Sequence, residues 1–184
     1  MTKGYKATYN YKCLNQIYEV GQEYKLDCTP VICKSGFHYC LNAKHTLYYY
    51  NYNHKFKLLE IEDLSNNTIT EDDKSCSNHI KVIREITDPE ELMQLLECFR
   101  TFNEKGQILT CKDSYGYWHD ETHKNSYGYL QELTFKNSDG YWRKSTYDKN
   151  GNELTYKTST GFWREYTYDE NGNQLTHKSG NNND

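Results

Sequence analysis

The chain has 184 residues and a net charge of −4, which its two halves share equally, so neither half shows the positive excess that is typical of nucleic-acid-binding surfaces. Its 19 tyrosines and 3 tryptophans argue against disorder despite a mean hydropathy of −1.05. No apolar run is long enough to cross a membrane, and the first residues lack the apolar stretch of a signal peptide. Together these features predict a cytoplasmic protein.

The composition changes near residue 100, which predicts two domains. Residues 1–100 are predicted to form a small α+β domain, residues 101–180 an all-β antiparallel meander of repeated hairpins, and residues 181–184 a disordered tail. In the first domain, five segments rich in aromatic and β-branched residues are predicted as strands. They are 17–21, 23–26, 36–40, 57–62 and 80–86. The polar segment 66–77 is predicted as a loop.

Two helices are predicted in the same domain. Asn42 can cap a helix of about two turns that reaches Tyr50. A clearer helix is predicted over residues 88–100, because Asp88 is a favourable N-cap and Pro89 suits the first helical position. Leucines at helical spacing follow, and they are expected to pack on the sheet of this domain.

The seven cysteines predict neither disulfides nor a redox motif, because their number is odd and no Cys-x-x-Cys pair occurs. Cys33, His38, Cys40 and His45 have the residue types of a tetrahedral zinc site. However, an extended segment around His38 does not require the four side chains to converge. We therefore predict small buried thiols, no metal and no cofactor, and leave the zinc alternative open.

A unit of 21 residues recurs in the second half, as the spacing of Trp142 and Trp163 and of Gly151 and Gly172 shows. The array is predicted to begin near residue 101 and to form about seven short antiparallel strands. Asn-Gly pairs at 150–151 and 171–172 predict type I′ turns, in which both central residues have positive φ.

Alternation over residues 141–147 places Tyr141 and Arg143 on one face of the sheet and Trp142 and Lys144 on the other. Beyond one leucine per repeat, the segment has almost no aliphatic residues that could form a dry face. We therefore expect a single-layer or half-covered sheet whose cross-strand pairs contribute about 0.2–1 kcal/mol each.

Several separated motifs occur in a fixed order in the first domain. They are Tyr18-Glu19-Val20-Gly21-x-x-Tyr24, Ser35-Gly36-Phe37-His38-x-Cys40, Tyr48-Tyr49-Tyr50, Glu71-x-Asp73-Lys74-Ser75 and Ile80-Lys81-Val82-Ile83-Arg84-Glu85-Ile86. With these motifs, residues 3–87 resemble an uncharacterised family of small phage and prophage proteins, which typically append simple repeats to this domain. The resemblance implies no established activity. It implies a phage or mobile-element origin and action inside a bacterial host.

The array is similar in style to MORN-type and YD-type repeats. Gly140-Tyr141-Trp142 and Gly161-Phe162-Trp163 carry the first likeness, and Tyr147-Asp148-Lys149-Asn150-Gly151 the second. Such repeats build serial hairpins, and they commonly serve as scaffolds and binding surfaces.

The aromatic side chains of the array predict a non-catalytic binding protein, because Tyr and Trp are enriched at interface hot spots. A phage protein of this kind is expected to capture a host or defence protein, for example as an anti-CRISPR or other anti-defence inhibitor. Eight side chains are predicted to contact the partner. They are Tyr115, Tyr117, Trp118, Tyr141, Trp142, Phe162, Trp163 and Tyr166. For each ring, the alternative is that it only packs against its neighbours.

An enzyme in the first domain is the alternative function. A strand with Gly36-Phe37-His38-Tyr39, a helix ending in tyrosines and a strand with two glutamates resemble the core of ADP-ribosyltransferases. The resemblance implies an aromatic cleft for nicotinamide and a glutamate that orients the ribose, with His38, Tyr49 and Glu62 as candidate catalytic residues. A glutamate on a solvated strand face is the commoner case, so binding by the array is the main prediction.

Overall fold

A computed structural model describes residues 2–126 and 129–182. For those of them that fall within 124–130, it describes the backbone and not the side chains. The chain divides into two compact units. The first unit is Met1–Arg100 with Glu104–Gly106, and the second is Thr101–Asn103 with Gln107–Asp184.

The first unit is built mainly of antiparallel strands. They are β1 (Thr2–Tyr9), β2 (Lys12–Cys13), β3 (Gln16–Ile17), β4 (Glu23–Lys25), β5 (Phe37–Tyr39), β6 (Phe56–Asp63), β7 (Ile69–Glu71), β8 (Lys74–Ser77) and β9 (His79–Ile86). Six strands form a sheet of order β3-β2-β1-β6-β9-β4, and three form a smaller sheet of order β5-β8-β7.

The prediction of an α+β first domain is wrong. Strands make up 55% of the protein and helices 8%, with two helices among the described residues. Two segments explain the error. The supposed loop 66–77 contains the hairpin of β7 and β8, and residues 2–9, for which no strand was predicted, form β1 at the centre of the larger sheet.

The two helices are shorter than predicted. The first is a 3₁₀ helix, Ala43–Tyr48, and the Asn42 side chain accepts a hydrogen bond from the Lys44 N–H as an N-cap. The second is α1 (Pro89–Leu96), and the Asp88 carboxylate caps it through the Glu91 N–H at 2.8 Å. α1 ends early because Glu97 adopts the left-handed conformation, with φ of 57°. The described residues form these two helices, and neither is long and apolar enough to cross a membrane.

Hydrophobic clusters lie on both faces of the six-stranded sheet, because successive residues of β6 point to opposite sides. One cluster lies under the two helices and contains Ala7, Ala43, Phe56, Leu58, Ile86, Leu92 and Leu96. The other contains Tyr18, Phe37, Tyr39, Leu59, Ile61, Ile80 and Val82. Gly4 permits the second cluster to close, since a Cβ at this position would lie 2.3 Å from the Tyr39 ring.

The second unit belongs to an eight-stranded antiparallel meander, which we call the repeat sheet. Its strands are β10 (Cys98–Phe102), β11 (Ile108–Asp113), β12 (Trp118–Ser126), β13 (Tyr129–Asn137), β14 (Trp142–Tyr147), β15 (Glu153–Thr158), β16 (Phe162–Tyr168) and β17 (Gln174–Asn181). They pair in chain order, as the hairpin prediction requires. Of the tail predicted as disordered over 181–184, Asn181 ends β17 and Asn182 lies in a turn, while the last two positions lie outside the described residues.

The hairpin tips differ from the predicted type I′ turns. Gly151 has a φ of 88°, but Asn150 is not among the residues with positive φ. Instead, the Asp148 carboxylate accepts hydrogen bonds from the backbone N–H groups of Asn150 and Asn152, at 2.8 and 2.9 Å. These bonds favour a three-residue loop with a glycine bulge. Asp169 binds the next tip in the same way.

Candidate functional site

The repeat sheet has two faces of different chemistry, which the strand register defines. One face, which we call the ladder face, carries rings and guanidinium groups. It contains Tyr117, His119, Phe135, Tyr141, Arg143, Tyr156, Phe162, Arg164, Tyr166 and His177. The other, the tryptophan face, contains Trp118, Trp142 and Trp163 together with Lys112, Lys136, Lys144 and Lys157. The register confirms the predicted alternation for residues 142–146, and it shifts between Thr146 and Tyr147.

Side chains of the ladder face contact one another across the strands. The rings of His119 and Phe135 stack at 5.3 Å between centroids, and those of Tyr166 and His177 at 4.8 Å. The Arg164 guanidinium lies 4.4 Å from the centroid of Tyr156, and its Nε donates to Glu153 Oε1 at 2.8 Å. Such contacts stabilise a sheet in which few side chains are buried.

On the tryptophan face, each tryptophan lies directly opposite a lysine of the preceding strand. The pairs are Lys112 with Trp118, Lys136 with Trp142 and Lys157 with Trp163. Lys144 and Lys157 also oppose each other directly, and Lys144 binds Glu132 at 2.9 Å. Like charges in opposite positions are unfavourable, so this face keeps a local positive charge at a cost in stability.

A shallow groove of about 240 Å³ lies between two consecutive tryptophans. Trp142 and Trp163 line it together with Lys157, Ser159 and Phe162. The Trp163 ring lies over β17 because residue 180 is glycine. A Cβ there would come within 3.0 Å of the ring. The groove therefore combines two indole walls with an ammonium group.

The eight side chains predicted to bind a partner do not form one surface. Tyr117, Tyr141, Phe162 and Tyr166 belong to the ladder face, and Trp118, Trp142 and Trp163 to the tryptophan face. Tyr115 lies in the turn between β11 and β12 and is 88% exposed.

The first unit contains a separate cavity of about 170 Å³. Its lining consists mainly of rings, thiols and three basic groups. It is formed by Tyr5, Lys6, Ala7, Cys13, His38, Tyr39, Cys40, Thr46, Tyr49, Tyr50 and Lys74. Two of the three candidate catalytic residues, His38 and Tyr49, thus meet in one place. Glu62 does not line the cavity, since it lies in β6 opposite Lys3 and Lys81.

Lys6 is the unexpected member of this cavity, because it is only 4% exposed. Its Nζ donates to the His38 carbonyl at 2.7 Å and lies 4.8 Å from the centroid of the Tyr18 ring. Burial lowers the pKa of Lys6 below its ordinary value. The sequence does not indicate that Lys6 is buried. Polar and apolar residues alternate in β1, and only the fold shows which of its faces are covered.

Burial shifts the pKa of two other groups in the cavity, and a third group contacts a ring. Burial, with Lys6 and Lys74 nearby, lowers the pKa of His38, whose Nε2 accepts a hydrogen bond from the Cys33 N–H at 2.8 Å. Burial raises the pKa of Cys40 to about 11. The Lys74 ammonium lies 3.9 Å from the centroid of the Tyr49 ring.

The buried carboxylate of the first unit, Asp63, has a structural environment. It accepts hydrogen bonds from the hydroxyls of Tyr39, Thr68 and Ser77 and from the Ser65 N–H. Burial alone would raise the pKa of Asp63, but these hydrogen bonds outweigh it and hold the pKa below the ordinary value. Its bonding capacity is used within the fold, so Asp63 is not a candidate for catalysis.

The zinc ligands considered from the sequence do not come together. Within residues 2–126 and 129–182, no three His, Cys, Asp or Glu side chains are arranged to hold a metal ion. Cys33 is exposed and Cys40 is buried. The His45 ring stacks on Tyr48, with 5.4 Å between the ring centroids.

Comparison with known proteins identifies the first unit. No curated protein matches the chain. A family model described as Domain of unknown function (DUF7666) matches residues 2–94, which include the motifs that resemble an uncharacterised family. This match covers just over half of the 184 residues, and the chain therefore belongs to the DUF7666 family.

Proposed function

We propose that the chain is a non-catalytic binding protein that captures a protein partner on the tryptophan face of its repeat sheet. The observation that carries the proposal is the exposure of indole rings beside lysines. Trp118 and Trp142 are 36% and 39% exposed. Large apolar side chains that stay exposed together on one face indicate an interaction surface.

The internal copies of the repeat support the choice of face. Lysine recurs at 112, 136, 157 and 178, and tryptophan at 118, 142 and 163. The ladder position one residue before each lysine holds instead Cys111, Phe135, Tyr156 or His177. A packing position tolerates several side chains of suitable size, whereas a contact with a defined partner demands particular ones. The copies have therefore diverged more where rings pack on one another than where tryptophan meets lysine.

The chemistry of the groove indicates the surface that would fit it. Indole walls suit an apolar side chain of the partner, and Lys157 suits a carboxylate beside it. A carboxylate would also relieve the repulsion between Lys144 and Lys157. The partner therefore presents an acidic segment with apolar anchors, and its capture weakens as the salt concentration rises.

The biological setting is part of the proposal. The resemblance of the first unit to small phage and prophage proteins supports the proposal that the chain acts in the cytoplasm of a bacterial host. The MORN-like and YD-like style of the array agrees with a scaffold that binds rather than catalyses. The partner is then a host or defence protein, and capture inhibits it.

The test compares two exposed rings on opposite faces. Trp142 and Tyr117 are both 39% exposed, and Tyr117 lies on the ladder face and does not line the groove, so Tyr117→Ser is a matched control for Trp142→Ser. Tagged wild type and both variants are used to capture proteins from lysate of a bacterial host, and the captured proteins are quantified by mass spectrometry. Loss of a hot-spot tryptophan costs about 2 kcal/mol, so Trp142→Ser should weaken capture roughly thirtyfold, while Tyr117→Ser retains it.

Two further measurements make the test decisive. Circular dichroism must show that both variants keep the strand content of the wild type. All three tryptophans lie on this face, so the captured partner should reduce acrylamide quenching of tryptophan fluorescence. Equal capture by all three proteins, or equal loss in two folded variants, would refute the proposal.

A further inference from the structure

The cavity of the first unit contains a buried lysine without a counter-ion. Lys6 makes no ion pair with any described residue, and the contacts of its ammonium are a carbonyl oxygen and a ring face. Burying an unpaired charge is costly in a protein, so a lysine in this position is unexpected unless an anion joins it.

The side chains around Lys6 are thiols, a phenol and an imidazole rather than carboxylates. The titratable groups around it are the thiols of Cys13, Cys40 and Cys76, the phenol of Tyr18 and the imidazole of His38. Burial raises the pKa of Cys40, Cys76 and Tyr18, so these three groups are neutral at physiological pH. No aspartate or glutamate is among the residues that line the cavity.

Size and walls restrict the anion. The cavity holds about 170 Å³, and a protein cavity of about 150 Å³ accepts one benzene ring. The rings of Tyr5, Tyr39, Tyr49 and Tyr50 form much of its wall, which suits a flat apolar body. Lys74, against the Tyr49 ring, adds a second positive charge.

We propose that this cavity is a binding site for a small aromatic carboxylate, whose carboxylate pairs with Lys6 and whose ring lies among the tyrosines. The site uses residues of the first unit alone, so it is independent of the binding function proposed for the repeat sheet. Asp73 does not line the cavity, and its carboxylate accepts the Tyr49 hydroxyl at 2.9 Å, which orients that ring at the wall.

Benzoate and benzamide are the probes, because they have the same shape and differ in charge. Isothermal titration calorimetry of the full chain should show benzoate binding with a Kd of about 1 mM or lower, and about tenfold or more tighter than benzamide. In Lys6→Met the benzoate preference should fall to about unity. Lys34→Met, which removes an exposed lysine of the same unit, should keep the preference of the wild type.

Lys6→Met is expected to fold, because replacing a buried unpaired charge by an apolar side chain of similar length is often stabilising. A thermal shift provides a second reading of binding. Benzoate should raise the melting temperature of the wild type and of Lys34→Met, and leave that of Lys6→Met unchanged. A benzoate preference that survives in Lys6→Met, or no benzoate binding by the wild type at about 10 mM, overturns the proposal.

Discussion

Replacing Arg164 by methionine tests whether cross-strand ladders stabilise the repeat sheet. The guanidinium lies 4.4 Å from the Tyr156 centroid and 5.8 Å from that of Tyr166, and it pairs with Glu153 at 2.8 Å. Two exposed cation–π contacts are worth about 0.5–1 kcal/mol each, and an exposed ion pair about 0.2–1 kcal/mol. Methionine keeps the apolar stem, and contributions that share one side chain are not fully additive. We therefore expect the free energy of unfolding to fall by about 1–2 kcal/mol.

Urea unfolding followed by tryptophan fluorescence measures this change, because the tryptophans are confined to the repeat sheet. With an m value of about 1 kcal/mol per molar urea, the midpoint should fall by about 1–2 M. Lys149→Met makes the same chemical change in an exposed hairpin loop and should cost less than about 0.5 kcal/mol. Arg164→Lys, which keeps the charge and loses the planar group, should fall between the two. If Arg164→Met unfolds at the midpoint of Lys149→Met, the ladder does not stabilise the sheet.

Three further predictions concern other positions. Asp63→Ala should lower the free energy of unfolding of the first unit by about 3 kcal/mol, because four hydrogen-bond donors, two of them in buried contacts, lose a charged acceptor. Its effect on amide exchange in β6 should be full above about pH 4 and shrink at lower pH, since a carboxyl with a lowered folded pKa stabilises only while ionised. Gly180→Ala should displace the Trp163 ring, which a Cβ would approach to 3.0 Å, and change the tryptophan emission. Asp148→Ala should accelerate amide exchange at Asn150 and Asn152, and unchanged rates there would contradict the capping of this hairpin.

The architecture of the repeat sheet could be predicted because its signals are local and repeated. A period of 21 residues, a glycine in each tip and strict alternation define strands, order and faces without any long-range information. The turn type could not be read from Asn150-Gly151 alone. The deciding contact is made by Asp148, two residues before the pair, whose carboxylate binds the loop backbone.

The first unit was harder to predict because its contacts are distant in sequence. β1 pairs with β6 more than fifty residues away, and Lys6 is opposite Leu59 in that pairing. A lysine between Tyr5 and Ala7 resembles a solvated strand position, so the sequence offers no sign of its burial. The polar composition of 66–77 similarly concealed a hairpin, because β8 is buried by its pairing with β5 rather than by its own hydrophobicity.

The separation of the two faces of the repeat sheet is defined by an adjacent pair of residues in two of the repeats. Trp142 precedes Arg143, and Trp163 precedes Arg164, so a single step along the strand separates the tryptophan face from the ladder face. A slip of one residue in register would exchange these faces and place an arginine beside Lys136 and beside Lys157. The capped tips prevent such a slip, because each carboxylate fixes which residues begin the next strand. If the tryptophan face captures a partner as proposed, substitution of the hairpin aspartates should weaken capture although they do not lie on that face.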